Sequence, residues 1–480
     1  PLGQVIGVGK AKLKSKDMMR NERKLAVKLI SSGAPREKAL RNGGQTWNNA
    51  IEANKTMLKE YEQEAMQFIK MTIARYSKPV TIVFSGGKDS LCTLALLSKV
   101  TTNFHVIFID TGIEFPETIS YVQTIMEKLH FKNSFLTEKV GEAFWLGLDK
   151  FGPPGKDFRW CCKICKLGPM SRLISRNFHD GCLSFIGNRM YESSRRSRES
   201  RIFTSPWIKG QMCVYPIQTW NGLVVWLYLL QERIPINPLY FKGHTRIGCW
   251  LCPTTKLAEF KQLEKSCPNL IRRWYAALKK HGFSEKEIKY GLWRWRKLPP
   301  AHIKITKQLG ISLSPSKIKI VEFEISSIPV CSPSDEIVLK GRFDPILNLE
   351  RIANLFNTIG PTKIVRKPNT LFIEKANKTV CVSENGRFWI RSSGKSEENA
   401  SFASIIVYAI IRAQECLGCG VCISHCPVKA IQIREGKASI DANKCNHCGQ
   451  CQHYCPLVRF SNPEKIVRLY LSPKPQIYNV

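Results

Sequence analysis

The hydrophobic positions divide the chain into regions with different periods. Between residues 77 and 265, short apolar runs rich in β-branched residues alternate with segments of helical spacing. The runs at 79–84, 104–109 and 182–187 predict buried strands. Strands that alternate with helices in this way are typical of an α/β fold, so we predict a doubly wound, Rossmann-like parallel sheet here.

The rest of the chain has other periods. Helical spacing is clear at 57–76, within a polar and charged region, and returns in a basic stretch after residue 265. Further on, the period changes to two, with one helix near 348–358, which predicts a small α+β module. The predicted domains are a basic helical N-terminal region at 1–76, the α/β domain at 77–265, a basic helical extension at 266–315, the α+β module at 316–405 and a cysteine-rich tail at 406–480.

A glycine-rich turn follows the first strand of the predicted sheet. Residues 81–90 are TIVFSGGKDS, and the following LCTLALLSKV has helical spacing. A strand, a glycine turn and a helix N-terminus direct free backbone N–H groups at an anion. The glycines allow close approach, Lys88 adds positive charge, and Ser85 and Ser90 add hydroxyl donors. This pattern predicts phosphate binding, and the alternative is an ordinary glycine-rich turn.

Composition and charge add a candidate partner. With 480 residues, 43% of them hydrophobic, the chain can form about three domains with apolar cores. A net charge of +35, from 73 Lys and Arg against 38 Asp and Glu, indicates a polyanionic partner, with nucleic acid the first candidate. The alternatives are a generally basic lineage or an acidic partner subunit. No apolar run approaches the length of a membrane span, so we expect no membrane partner.

Nineteen cysteines, most of them in CxxC groups, favour metal ligation over disulfides and predict a reducing, cytoplasmic location. Two runs in the tail share the spacing CxxCxxCxxxCP and resemble bacterial ferredoxins, in which the fourth cysteine of each run ligates the other cluster. The resemblance implies two [4Fe–4S] clusters, which transfer electrons or, alternatively, are relics that only stabilise a fold. Their implied ligands are Cys416, Cys419, Cys422 and Cys455 for the first, and Cys445, Cys448, Cys451 and Cys426 for the second.

A second cysteine group lies inside the α/β domain, in the segments RWCCKICK and GCWLCP. A Cys-Cys pair followed by a distant CxxC resembles the [4Fe–4S] site of assimilatory adenylylsulfate (APS) reductases, which implies a third cluster. Cys165 departs from that family, which carries arginine there, and a structural zinc site or unligated thiols are the alternatives. The candidate ligands are Cys161, Cys162, Cys249 and Cys252, with Cys165 as an alternative ligand.

Two further segments bear on the substrate, DTGIEFPET at 110–118 and GNRMYESSRRSR at 187–198. Together with SGGKDS they resemble the phosphoadenylylsulfate (PAPS) reductase family of the PP-loop ATP pyrophosphatases, over about residues 77–265. The resemblance implies an adenine nucleotide site. Its implied nucleotide-binding residues are Ser85, Gly86, Gly87, Lys88, Asp89, Ser90, Asp110, Thr111, Gly112, Glu117, Arg189, Arg195 and Arg198. The candidate catalytic residues among them are Lys88, Asp89, Asp110 and Arg189.

Two departures from sulfonucleotide reductases guide the functional prediction. The chain keeps the full SGGKDS loop that ATP cleavage requires, and it lacks a free nucleophilic cysteine in the tail, because Cys416 belongs to a cluster. We predict ATP-dependent sulfur insertion into a nucleic acid, tRNA first, with electrons from the tail. The alternatives are an APS or PAPS reductase with a fused electron donor, and a nucleic-acid-binding scaffold with relic clusters. The expected nucleotide is ATP or an adenylyl sulfonucleotide, with Mg²⁺ as a further candidate cofactor.

The basic extension also carries aromatic residues, in RRWY at 272–275 and WRWRK at 293–297. Basic side chains neutralise phosphates while aromatic faces stack on unpaired bases, so this stretch is a candidate RNA-binding surface. The alternative, an amphipathic helix that packs its tryptophans on the core, explains the same pattern equally well.

Overall fold

The computed structural model describes residues 7–11, 27–32, 46–131, 134–312, 323–328, 336–344, 346–366, 369–375, 378–393 and 396–461. The chain forms two compact units, residues 1–55 and 56–480. The strands, numbered in chain order, are β1 Gly7–Ala11, β2 Val27–Ser32, β3 Val80–Val83, β4 His105–Asp110, β5 Phe135–Lys139, β6 Cys182–Ile186, β7 Ile202–Thr204, β8 Gln211–Val214, β9 Phe323–Ile328, β10 Glu336–Phe343, β11 Thr362–Arg366, β12 Asn369–Lys375, β13 Lys378–Ser383, β14 Arg387–Ser393, β15 Ile431–Arg434 and β16 Lys437–Ile440.

In the first unit, β1 and β2 pair antiparallel, and a short helix, Trp47–Ala53, begins after a capping box formed by Thr46 and Asn49. The sequence-based prediction of a wholly helical N-terminal region is therefore wrong for the two strands. It is also wrong in its boundary, because most of the helix Lys55–Tyr76 belongs to the second unit. That helix buries Leu58, Ala65 and Ile69 completely, and this burial fixes it on the larger core.

The α/β domain is built on a six-stranded sheet in the order β5-β4-β3-β6-β8-β7. Neighbouring strands are parallel from β5 to β8, and β7 adds an antiparallel edge, so the predicted parallel-sheet core is confirmed. The central strand β3 ends directly before the glycine turn. The longer helices of this domain are Lys88–Val100, Pro116–Lys128, Ala143–Phe151, Gly168–Asn177 and Gly222–Gln231. Short helical segments are Trp160–Cys162, the π-helix Lys163–Leu167, Met190–Glu192, Arg196–Arg198 and Pro238–Tyr240.

The basic extension is not a separate layer. The boundary predicted at 265/266 falls inside the helix Leu257–Ser266 and is corrected accordingly. The extension then continues with the helices Pro268–Lys280 and Glu285–Lys289, the 3-10 turn Leu292–Arg294 and the helix Pro300–Gln308. Trp274 is fully buried and Trp293 nearly so, with ring centroids 5.0 Å apart, in the core cluster that also contains Phe144. The alternative interpretation of the tryptophans is therefore the one observed for these two, because they pack on the core.

The predicted α+β module is an antiparallel sheet in the order β11-β12-β13-β14-β10-β9. Two helices accompany it, Leu349–Phe356 and Ser396–Glu415. The second runs without a break across the boundary predicted between residues 405 and 406, because residues from Ala403 to Ala413 form its buried side. That boundary is corrected accordingly, and the other one, at 315/316, lies outside the described residues.

The tail adds the hairpin β15–β16 and the short helices Val421–Ser424, Gln450–His453 and Pro456–Ser461. The first two begin after Gly420 and Gly449, which have φ of +86° and +66°. These glycines occupy matching positions in the two cysteine runs, and a left-handed backbone is accessible to glycine at little steric cost. Among the helices described, none has the length and apolar character to cross a bilayer.

Candidate active site

The glycine turn after β3 is held in a closed curve. Gly86 has φ of +71°, and a Cβ there would lie 2.9 Å from Thr118 Cγ2, so this position requires glycine. The Ser85 N–H donates to Ser90 Oγ at 3.2 Å, and that hydroxyl donates to the Gly87 carbonyl at 2.9 Å. The turn therefore presents the start of the helix Lys88–Val100 as an anion site.

Three of the four predicted catalytic residues lie together at this turn. Lys88 Nζ is 2.7 Å from Asp89 Oδ2, and Arg189 Nε donates to Asp89 Oδ1 at 2.6 Å. The Lys88 and Arg189 side chains are only 8% and 9% exposed. Arg189 Nη2 also lies 3.9 Å from Glu192 Oε1, and Glu192 pairs with Arg196. Three cations and two carboxylates therefore leave a net positive charge beside the helix N-terminus, and this charge favours an anionic ligand.

The fourth predicted catalytic residue, Asp110, has a different position. Its carboxylate accepts the Gly112 N–H at 3.0 Å and so shapes the turn after β4. Gly112 has φ of +73°, and a Cβ there would lie 2.2 Å from the Gly141 carbonyl oxygen. Within the described part of the chain, Asp110 forms no ion pair with Lys88 or Arg189. The turn delivers Thr111, whose hydroxyl donates to Glu114 Oε1 at 2.8 Å.

The outer residues of the predicted nucleotide site are more exposed. Glu117 pairs with Lys242 at 2.8 Å, and this hydrogen bond lowers the pKa of the Glu117 carboxyl. Arg195 is 88% exposed beside Glu199, and Arg198 is also exposed.

Arg196 is the arginine of this segment that turns inward, because the 3-10 turn Arg196–Arg198 sets which side chains face solvent. It is half-buried and pairs with Glu192, and burial together with the charge of Arg246 lowers its pKa. The sequence pattern did not single out Arg196. Which arginine of the run points inward depends on the turn that the run forms, so the sequence alone carries no signal for Arg196.

Two more residues at the turn escaped the sequence-based prediction. The Lys88 backbone N–H donates to the Tyr240 hydroxyl at 2.9 Å, so this N–H already points at an oxygen acceptor. Asn237 Nδ2 donates to the Gly86 carbonyl at 3.2 Å and supports the curve from behind. Both come from the segment around Pro238–Tyr240, which carries no recognisable motif.

One cavity of about 940 Å³ joins the nucleotide side to the inner cysteines. Ser85 of the glycine turn and Thr111 line one part of it. Its cysteines are Cys161, Cys162, Cys165, Cys249 and Cys252. Its basic residues include Arg159, Lys163, Lys166, Arg195 and Arg246. All five inner cysteines therefore share one basic space with the predicted phosphate loop.

The inner cysteines come from two segments that the fold brings together. The helix Trp160–Cys162 continues into the π-helix that contains Cys165, and π-helical turns are frequent at functional sites. A hydrogen bond from Cys161, helped by Lys166 and other nearby cations, lowers the pKa of the Cys162 thiol to about 6.

Cys249 comes from the second segment and lies against the turn after β4. Its sulfur is 3.5 Å from Thr111 Oγ1 and 3.4 Å from Glu114 Oε1. Burial raises the pKa of this thiol to about 12. The turn after β4 and the second cysteine segment are therefore in direct contact.

Among the described residues, no three Cys, His, Asp or Glu side chains converge on the position of a single ion. The same holds for the tail cysteines, so this arrangement does not separate a zinc site from an iron–sulfur cluster, and the inner metal and its ligands stay predictions.

The tail cysteines form the two crossed sets that the ferredoxin resemblance implies. A small cavity is lined by Cys426, Cys445, Cys448 and Cys451, the second implied set. Burial and the neighbouring Cys455 and Cys416 raise the pKa of the Cys419 thiol to about 12, so members of the first set are also close together.

Backbone donors surround the tail sulfurs. Cys416 Sγ accepts the Gly418 N–H at 3.4 Å and the Ala438 N–H at 3.3 Å, and Cys426 Sγ accepts the Ala430 N–H at 3.2 Å. Such donors stabilise thiolates and tune bound clusters, so the residues present fit two four-iron clusters.

The α/β domain and the tail touch at the start of the helix Gly168–Asn177. A Cβ on Gly168 would lie 2.3 Å from the Cys419 carbonyl oxygen. Arg172 Nη1 donates to the carbonyl oxygens of Gly418 and Cys419 at 2.7 and 3.0 Å, while Glu138 holds the same guanidinium at 2.9 Å. The loop of the first tail set is therefore fixed against the segment that carries Cys165.

Three basic residues of the extension are paired with acids. Arg273 pairs with Glu142 at 3.1 Å and Lys280 with Asp149 at 3.0 Å. Lys279 pairs with Glu285 at 2.9 Å, and these side chains remain exposed. The candidate RNA-binding surface of this stretch stays a prediction.

A parallel α/β sheet with a glycine turn after its central strand is joined in this chain to a tail with two cysteine runs. Residues 79–255 match the phosphoadenosine phosphosulfate reductase domain, and residues 408–456 match a 4Fe-4S dicluster domain. The chain thus contains both domains, and the predicted fusion is confirmed.

Relatives of this chain differ in how much is known of them. An uncharacterised protein of Methanocaldococcus jannaschii is 39% identical over 303 residues, 61% of this chain and 62% of that protein. A second from that organism is 35% identical, over 54% of this chain and 62% of that protein. The chain therefore spans less than two thirds of either relative.

A named relative is the adenosine 5'-phosphosulfate reductase of Lysinibacillus sphaericus, 25% identical over 40% of this chain and 81% of that protein. Among solved structures, a phosphoadenylyl-sulfate reductase of Candida auris is 21% identical, covering 43% of this chain and 96% of that one, with a TM-score of 0.31. This structural likeness is too low to add to the domain assignment.

Proposed function

We propose that the protein uses ATP to activate a carbonyl oxygen of an RNA base and then replaces that oxygen with sulfur. The observation that carries this proposal is the single cavity that Ser85 and Thr111 share with the five inner cysteines. A nucleotide bound at the glycine turn would place its reacting end within reach of the thiols. The net charge of +35 supports a polyanionic acceptor.

In the first step, the base oxygen would attack the α-phosphorus of ATP, and pyrophosphate would leave. Lys88, the hydroxyls of Ser85 and Ser90 and the N–H groups at the helix start would neutralise the charge that develops on the leaving group. Arg189 would orient Asp89 and add charge on the same side. A complete loop of this kind suits a β,γ-pyrophosphate, which a sulfonucleotide does not carry.

In the second step, a persulfide on the inner thiol left over by a four-cysteine cluster, loaded beforehand by a sulfane-sulfur donor, would attack the activated carbon through its outer sulfur. The carbon–oxygen bond breaks, AMP leaves, and a disulfide links the base to the cysteine. Two electrons and two protons then cleave the disulfide to a thiocarbonyl base and a free thiol. The electrons would come from a low-potential one-electron carrier. Bound clusters would supply one-electron transfer on the way from that carrier.

A second candidate is a sulfonucleotide reductase with a fused electron donor. The reductase domain match and the named relative from Lysinibacillus sphaericus favour it. Anaerobic turnover separates the two. With ATP and RNA, pyrophosphate release supports sulfur insertion, whereas sulfite release from an adenylyl sulfonucleotide supports reduction. A protein that releases sulfite and no pyrophosphate would overturn the first proposal.

The acceptor needs its own experiment, which is mass spectrometry of nucleosides from cells with and without the gene. Loss of one thiolated nucleoside is the result expected. Binding of purified RNA should also weaken steeply with salt, because each phosphate contact releases condensed counterions. An unchanged nucleoside profile together with salt-independent binding would contradict an RNA acceptor.

A further inference from the structure

Arg412 is a buried cation for which the described residues provide no acidic partner. It lies on the helix Ser396–Glu415, and only 2% of its surface is exposed. Nη1 is 3.7 Å from Cys451 Sγ, and Nη2 has no hydrogen-bond partner in the part of the chain that is described. Burial of an uncompensated guanidinium is costly, so a neighbouring negative group is expected.

The groups around Arg412 are cysteines of both tail sets. Cys451 belongs to the second set, whereas Cys422 and Cys455 belong to the first, and all three are close enough to interact electrostatically with the guanidinium. One buried cation is therefore placed between two sites that would each carry negative charge when a cluster is bound. The donor left free at Nη2 fits a thiolate or sulfide of either cluster.

The helix that carries Arg412 belongs to the antiparallel module as well as to the tail. Two further hydrogen bonds join this module to the tail. Gln452 Nε2 donates to Thr358 Oγ1 at 2.8 Å, and Ile440 N–H donates to Asn354 Oδ1 at 2.8 Å. The module therefore holds the tail and inserts a positive charge between its two sites, which gives a role to a region without a recognised motif.

We propose that Arg412 compensates the charge of both tail clusters and raises both of their reduction potentials. One-electron reduction adds a negative charge to a cluster, and no bond breaks. A buried cation nearby favours the reduced form, because the interaction is strong in a low-dielectric interior. The inference rests on the two tail clusters alone and is independent of the proposed reaction.

The test is a redox titration of both tail clusters in the full chain, prepared anaerobically and followed by electron paramagnetic resonance. Arg412→Met keeps much of the volume and removes the charge. The expected result is that reduction becomes at least tenfold less favourable for each cluster, a shift of 59 mV for one electron. Arg412→Lys should keep both potentials near those of the unaltered protein.

Arg434→Met is the matched control, since Arg434 is an exposed arginine of the same tail. Unchanged potentials in Arg412→Met, or equal shifts in Arg412→Met and Arg434→Met, would overturn the inference. If Arg412→Met loses tail iron while Arg412→Lys retains it, the charge is needed for assembly and the inference stands. Loss of tail iron in both variants would show a packing role instead and would refute charge compensation.

Discussion

The inner cysteines and the tail cysteines contain the same ligand atoms in two different environments. In the tail, the sulfurs are surrounded by backbone donors and by the buried Arg412. The inner sulfurs line a cavity of about 940 Å³ with several cations and the predicted phosphate loop. The two ligand sets therefore differ in what lies beside them: backbone donors and one buried cation in the tail, and a cavity with several cations at the inner site. Under the proposed function, the first environment would serve electron transfer and the second would admit a substrate.

The strongest test of this division is Lys88→Ala. Pyrophosphate release from ATP should fall at least about 100-fold, since removal of one pre-organised donor costs that much in comparable sites. Tail iron should be unchanged, because the loop builds no part of the tail. Lys128→Ala, an exposed lysine on the helix Pro116–Lys128, is the control. Normal pyrophosphate release in Lys88→Ala would contradict a nucleotide site at the glycine turn.

Iron content sharpens the comparison next. The unaltered protein should hold about twelve irons, from four per cluster, and the double change Cys249→Ser and Cys252→Ser should leave about eight. The tail signals in paramagnetic resonance should persist in that variant. About eight irons and one zinc in the unaltered, anaerobically prepared protein would mean that the inner site is structural.

The contact between the two regions can be weakened without touching either set of ligands. Arg172→Ala removes two hydrogen bonds to the loop of the first tail set, so electron transfer to the inner site should slow about tenfold in rapid-mixing experiments, with both centres assembled. Arg176→Ala is a close control, because Arg176 also pairs with Glu138, at 3.2 Å. Equal electron-transfer rates in Arg172→Ala and Arg176→Ala would show that the hydrogen bonds from Arg172 to the tail loop do not affect the transfer.

The smallest effect is expected at Glu117, one of the nucleotide residues implied by resemblance. The structure pairs it with Lys242 at the surface. Glu117→Gln should change the KM for ATP at most about fivefold, the equivalent of the roughly 1 kcal/mol upper end for an exposed pair. A much larger rise would show that the carboxylate contacts the nucleotide directly.

Local pattern was enough to predict some features and not others. Short continuous apolar runs predicted the strands β3, β4 and β6, and the cysteine spacing predicted the 4Fe-4S dicluster domain of the tail, because both signals are local in the sequence. The inward turn of Arg196 and the hydroxyl of Tyr240 at the glycine turn depend on tertiary contacts between distant segments. The extension follows the same rule, because the burial of Trp274 and the pairing of Arg273 with Glu142 depend on contacts with segments distant in the sequence.

The close approach at Gly168 has a kinetic consequence. An electron carrier that is a separate protein must find its enzyme by diffusion, so turnover falls as both are diluted. Here the loop of Cys419 lies against Gly168 in the same molecule, where the effective concentration of a tethered partner does not change on dilution. Reduction of the inner site from the tail should therefore be first order in protein, with a rate that does not change when the protein is diluted.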